Sequence, residues 1–336
     1  MAACSAASDA DASSDGGAAN AGSVVPTGTG NVSSGTASAS PSADGGPSSV
    51  SQGGSDAGGG STSSAPPAAG NADDGGSSPA LPGWTLTWSD EFDGPDGSAV
   101  DGTKWNQETG NAGWANNQEL EYYTPGTANA VVQEGALVIT ATTQGASSLK
   151  CEYGTCKYTS ARFNTQGKFQ QAYGLFEARI QIPRGQGLWP AFWTLGNNIG
   201  SAGWPTCGEI DIMENVGKEP ATNHGSLHGP GYSGGHALTG QISIDAGALA
   251  DDFHVYDIEW APDVVRFYLD GVLYETKTSA DVPAGDKWVY DHPFFVILNV
   301  AVGGLFPGNP DGTTTFPQTM KVDYVRVYQS SATDGG

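Results

Sequence analysis

Positive charge is scarce in this chain. Its 336 residues hold 13 Lys and Arg against 36 Asp and Glu, a formal net charge of −23. So acidic a balance argues against nucleic acid or an anionic membrane surface as partner. It also disfavours a sulfated polysaccharide, which would call for a basic groove. Long apolar runs are missing as well, and none reaches the roughly 20 residues that span a bilayer. No segment carries a sustained helical period, and no internal repeat is visible.

A second set of absences divides the chain. Residues 1–80 contain no Lys, Arg, His or aromatic side chain and consist almost entirely of Ser, Gly, Ala, Asp, Pro, Thr and Asn. Such a segment cannot bury enough apolar area to offset its chain entropy, so it reads as a disordered tether. Met-Ala-Ala-Cys-Ser at its start looks like the end of a bacterial lipoprotein signal without its hydrophobic region, which would make Cys4 a lipid-anchor site. The expected address is therefore secreted or cell-surface, with no membrane-spanning segment. All nine Trp, eleven Phe and twelve Tyr lie between about 82 and 329. That length fits one all-β domain, followed by a flexible tail over 330–336. The tether holds seven Asp and no Glu, so the rest of the chain keeps −16 of the −23.

Within 82–329, short strand-like runs recur between turn signals. They cover Trp84–Ser89, Ala136–Thr142, Gly174–Ile182, Ala191–Leu195, Glu209–Glu214, Phe253–Trp260, Val264–Leu269, Phe294–Val300 and Met320–Tyr328. Asp270-Gly271 marks a hairpin turn. Many strands at this spacing predict two packed antiparallel sheets. Glycine-rich stretches at 196–204, 229–235 and 303–312 predict loops at the rim of a cleft. Cys151 and Cys156 enclose four residues, a loop that a disulfide closes in an oxidising compartment. Cys207 reads as a small buried filler.

The most informative run is Gly-Glu-Ile-Asp-Ile-Met-Glu-Asn at 208–215. Glu209 and Asp211 alternate with Ile210 and Ile212, the period of a strand with one polar face. Met213 is one residue too many, and a β-bulge at Ile212-Met213 returns Glu214 to the face of the other two acids. Like charges this close repel, so a structural account has little use for them. A carboxylate trio sharing a proton is what acid/base chemistry on a glycosidic bond needs. Just upstream, Trp189, Ala191 and Trp193 share one strand face with Phe192 on the other. Two Trp flanking a small residue predict a floor for sugar rings, against the plainer reading that both are core.

Gly-Glu-Ile-Asp-Ile-Met-Glu resembles the bulged signature of glycoside hydrolase family 16. The resemblance runs through Trp-Ser-Asp-Glu-Phe-Asp at 88–93, Asn-Gln-Glu-Leu-Glu-Tyr-Tyr-Thr at 117–124 and Gly-Leu-Trp-Pro-Ala-Phe-Trp at 187–193. It continues through 253–260, 299–304 and 322–328. Within the family the set is most similar to bacterial laminarinases, which are endo-β-1,3-glucanases. This implies a jelly-roll β-sandwich of two antiparallel sheets with a concave substrate cleft, acting as a monomer on β-glucan by retaining double displacement. By motif position Glu209 is the nucleophile, Glu214 the acid/base and Asp211 the carboxylate between them.

Other implied positions are Trp189 and Trp193 as sugar-stacking residues, Asn117 (or Asn116) and Arg162 for donor-side hydroxyls, and His228 at the active-site edge. No cofactor is implied for catalysis. A structural calcium is implied, held by Asp323 with backbone carbonyls near Glu91 and Gly135. His254 reads as structural. The competing readings are a relative acting on mixed-linkage β-1,3-1,4-glucan or another neutral polysaccharide, a transglycosylase, and a non-catalytic glucan-binding module. The module would need the tryptophans but not the carboxylates.

Overall fold

The computed structural model describes residues 81–112 and 117–331. The tether over 1–80, Cys4, Asn116 and most of the 330–336 tail lie outside the described residues. In chain order the first strands are β1 (Trp84–Asp90), β2 (Asn106–Gln107), β3 (Glu121–Tyr123), β4 (Ala130–Gln133) and β5 (Ala136–Ala141). Then come β6 (Lys150–Cys151), β7 (Gly154–Thr155), β8 (Tyr158–Ser160) and β9 (Arg162–Asn164). The middle of the chain forms β10 (Gly174–Gln181), β11 (Leu188–Gly196), β12 (Glu209–Glu214), β13 (Thr222–His228) and β14 (Leu238–Ser243). The last strands are β15 (His254–Ala261), β16 (Val264–Leu269), β17 (Val272–Thr278), β18 (Phe294–Val302) and β19 (Gln318–Ser330).

Two large sheets hold most of these strands. One runs β17-β16-β15-β10-β19-β5-β4, with β1 also paired to the long β19; the other runs β14-β13-β12-β11-β18-β9-β2. Pairing in both is antiparallel, as the turn-rich sequence predicts, while the small β3–β8 pair is parallel. Alternation decides which side chains enter the core. Phe176, Ala178 and Ile180 of β10 and Tyr256, Ile258 and Trp260 of β15 face the interior from one sheet. Phe192 of β11 and Val296, Leu298 and Val300 of β18 meet them from the other. Burying a side chain such as Phe192 contributes about 1.5–3 kcal/mol. Asp270 (φ 49°) and Gly271 (φ 73°) both take positive φ between β16 and β17, the two-residue turn that matches strand twist.

Two expectations change. β11 begins at Leu188, earlier than Ala191, because Pro190 is accommodated inside it. The pairing with β12 stops at Ala191↔Glu214, and beyond it Asn215 N–H still donates to the Pro190 carbonyl at 3.3 Å, so the proline forgoes only its own N–H at the margin of the pairing. The 196–204 stretch contains one short helix, α1 (Ile199–Ala202), where a plain loop was expected.

Candidate active site

The bulge lies where the parity of the acids requires it. On the β11 side, Phe192 pairs with Met213 and Trp193 with Asp211, so Ile212 is passed over. On the β13 side, the register steps from Asp211↔Ser226 to Glu214↔His224, two extra residues against one. Ile210, Ile212 and Met213 are all fully buried in the inter-sheet core. With both bulge residues turned inward, Glu209, Asp211 and Glu214 share the opposite face. Gly208 opens the strand at φ 75°, and a Cβ there would sit 2.8 Å from the Phe294 ring. Only glycine fits that entry.

Cross-strand register lays out the floor around the acids. One row reads Gln241, His224, Glu214, Ala191, Asn299 and Arg162 from β14 to β9. The next reads Thr239, Ser226, Asp211, Trp193, Ile297 and Asn164. β12 thus divides the floor into an aromatic and arginine side and a side of hydroxyls and histidine.

Each acid has its own partners. Trp189 Nε1 donates to Glu214 Oε1 at 2.9 Å, and Trp204 Nε1 donates to Glu209 Oε2 at 2.9 Å. Burial pushes the Glu214 carboxyl up, and the charge of Asp211 pushes it further, against the pull of His228 and the Trp189 hydrogen bond. A carboxyl whose proton affinity is raised by burial beside a second acid is the arrangement general-acid chemistry requires.

His228 reaches the other two acids. Its Nε2 lies 2.9 Å from Asp211 Oδ2 and 3.9 Å from Glu209 Oε1, although the Asp211 approach is not aligned as a hydrogen bond. Gly234 N–H donates to its Nδ1 at 3.0 Å, so the neutral ring carries its proton on Nε2, facing the carboxylates. The same contact argues against a metal here. Glu209, Asp211 and His228 offer ligand atoms within 4.8 Å of one another. An ion on Nε2, with Nδ1 already accepting, would demand an imidazolate.

The expected sugar-binding residues gather at this face but are not an open platform. Trp189 is 2 % and Trp193 1 % exposed. Trp193 Nε1 donates to Asn299 Oδ1 at 2.8 Å, and the Arg162 guanidinium stands 4.8 Å over its ring. Arg162 also pairs with Glu108 at 3.1 Å. Asn117 is buried and donates to Glu119 Oε1 at 3.0 Å. These side chains build and stiffen the floor, and a guanidinium covers one of the two rings. His228, placed at the edge by sequence, is buried against the acids.

Several residues of the site were given no role by the sequence. Trp204 follows a glycine-rich run, and its position four residues before Gly208 was its only hint. Asn299 and Phe306 reach the site from β18 and the loop after it. Glu119 and Glu121 flank Leu120 like surface residues, yet both are buried.

Elsewhere, Cys151 and Cys156 form the expected disulfide, and Cys207 is buried, as a small filler should be. His254 bonds Asp270 at the start of β15, in keeping with a structural role. For calcium, Asp90↔Val325 and Leu137↔Val322 bracket Asp323 along one edge of β19, with Glu91 just past the end of β1 and Gly135 just before the start of β5. The Glu91 side chain, however, clasps Arg326, with its shortest contact at 2.7 Å, and Asp323 Oδ2 pairs with Arg179 at 2.8 Å.

A two-sheet sandwich that gathers two glutamates and an aspartate on one strand face defines a glycoside hydrolase. Residues 117–326 match Glycosyl hydrolases family 16, and the chain belongs to that family. It is 42 % identical over 262 residues to a beta-glucanase of Rhodothermus marinus, covering 75 % of this chain and 87 % of the relative. Among solved structures, it is similar to the catalytic domain of an endo-1,3-beta-glucanase (laminarinase) from Thermotoga petrophila RKU-1. That match has 49 % identity and a TM-score of 0.69, covering 74 % of this chain and 98 % of the other. The endo-beta-1,3-glucanase of Pyrococcus furiosus gives 48 % identity and a TM-score of 0.69, covering 73 % and 94 %. The fold is the jelly-roll sandwich of these relatives.

Proposed function

We propose that this chain is a retaining endo-β-1,3-glucanase. The observation that carries the reading is the bulge, which puts Glu209, Asp211 and Glu214 on one face, where burial and then Asp211 raise the proton affinity of Glu214. Glu209 attacks the anomeric carbon as the bond to the leaving oxygen breaks, and Glu214 passes its proton to that oxygen. Water then enters with Glu214 as base and releases the sugar from Glu209 with net retention. No step calls for a cofactor. One chain supplies all three acids, which supports action as a monomer.

Glu209→Gln and Glu214→Gln should each cut kcat on laminarin by on the order of 10³-fold or more, at unchanged melting temperature. NMR during hydrolysis should show β product released first. Full activity in either variant, or α product first, removes the assignment.

We also propose export, supported by the Cys151–Cys156 disulfide. Activity confined to the cytoplasm of the producing cell would contradict it. A structural calcium at Asp323 is the third part of the reading. One carboxylate already shared with Arg179, plus carbonyls, is a low-charge donor set, which corresponds to affinities of about 10⁻⁴–10⁻³ M.

A further inference from the structure

We propose that the cavity beside Glu214 receives the sugar unit that leaves, and that His224, oriented by Glu219, recognises it. This rests on the glucanase reading and adds which residues select the leaving group.

The floor is asymmetric about β12. Trp193, Asn299 and Arg162 lie toward β11, β18 and β9, whereas His224 sits directly across from Glu214 on β13. On that second side a cavity of about 160 Å³ is lined by Glu214, His224, Ser226, Thr239 and Phe306, among others. At about 30 Å³ per liquid water, that is the room of some five waters, on the scale of a single sugar ring. The general acid therefore stands at the wall between the two sides, where the proton must pass to the departing oxygen.

His224 is prepared for a hydroxyl. Its Nε2 lies 2.9 Å from Glu219 Oε2, so the carboxylate takes the Nε2 proton and the neutral ring presents Nδ1 as an acceptor. His228 differs on this point, because its Nδ1 is already filled by Gly234 N–H. Of the two histidines lining the cavity, His224 alone has a ring nitrogen left to accept from a sugar O–H.

Phe306 supplies the apolar wall. Its ring meets His224 edge-on at 5.3 Å and Trp189 at 5.8 Å, and Trp189 in turn holds Glu214. Lys218 Nζ donates to the Phe306 carbonyl at 2.9 Å and stands 5.6 Å over the ring, fixing the loop that carries it. The C–H face of a sugar can lie on this ring while its hydroxyl meets His224. Ser226 and Thr239, bonded to each other at 3.0 Å, complete a polar floor.

The test compares kcat/KM on laminarin with that on 4-nitrophenyl β-laminaribioside, whose aryl leaving group has no hydroxyl for His224 to accept. For His224→Ala, laminarin turnover should fall by about tenfold or more, the worth of one hydrogen bond lost at a buried acceptor. The loss on the aryl substrate should be at least fivefold smaller. His224→Gln, which can donate to Glu219 and still accept, should recover part of the laminarin rate. If His224→Ala does not fold, Glu219→Ala, which releases the ring from its Nε2 partner, should show the same substrate-selective loss. Equal losses on both substrates, or no loss on laminarin, overturn the proposal. A wild-type protein that turns over neither substrate would instead overturn the glucanase reading.

Discussion

His228 shows how one side chain can serve two neighbours. Its Nδ1 accepts from Gly234 in the rim loop, and its Nε2 faces Asp211 and Glu209. His228→Gln keeps an acceptor for the loop and a donor for the acids, and should retain kcat within about tenfold. His228→Leu keeps neither and should lose on the order of 100-fold, comparable to removing a positioning contact. The pH profile separates charge from geometry. The ring that accepts from Gly234 at Nδ1 is neutral, so both variants should leave the alkaline limb of kcat in place while Leu loses the larger share of rate. A limb that moves in both would show that His228 acts through charge instead. Little of this was legible beforehand. The motif placed His228 near the edge, but its backbone donor arrives from a loop six residues away, a distance that periodicity does not see.

At the scale of elements, sequence reading was strongest where a strand keeps strict alternation. β12 and β16 begin and end at the predicted residues, and the bulge followed from three acids with one residue too many between them. It was weaker where partners decide. The strand was expected to start at Ala191, and the pairing of Leu188–Pro190 with β18 extends it. The Trp189/Trp193 face was correctly separated from Phe192, yet nothing in the sequence placed Arg162 over the indole. The seam where β1 leaves β19 and β5 joins it holds the expected calcium position. Adding about 5 mM calcium after chelation should raise the melting temperature, and Asp323→Ala should abolish that rise. An equal rise in the variant would place any ion elsewhere.

Across the whole molecule, buried acids set the pH response. Burial, then the charge of Glu119, pushes Glu121 well above its usual range, and burial raises Glu119, Glu177, Glu214 and Asp257 as well. Glu121 Oε2 accepts from Val302 N–H at 2.7 Å, while Oε1 has no hydrogen-bond partner. A proton held between Glu121 and Glu119 satisfies it. A carboxyl with a raised folded pKa binds more protons in the native state. Its stabilising share is complete below the unfolded value, about 4.3, and is lost as pH rises through the folded value. Stability should therefore decline from about pH 5 toward 8. Glu121→Gln replaces the shared proton with a permanent amide N–H, and should raise the melting temperature at pH 8 by about 2–4 °C. The gain should shrink toward pH 5. A uniform change at both pH values would mean that the pair does not share a proton.

The inward turn of both Ile212 and Met213 has one more implication. In a regular strand, shortening by one residue swaps inside for outside. Here the residue that would be trimmed belongs wholly to the hydrophobic interior, so its removal would alter the reach from nucleophile to proton donor while each still looked onto the sugar. Spacing and orientation of the two glutamates are thus separately adjustable, and the distance that fixes stereochemistry can be varied without rebuilding the sheet.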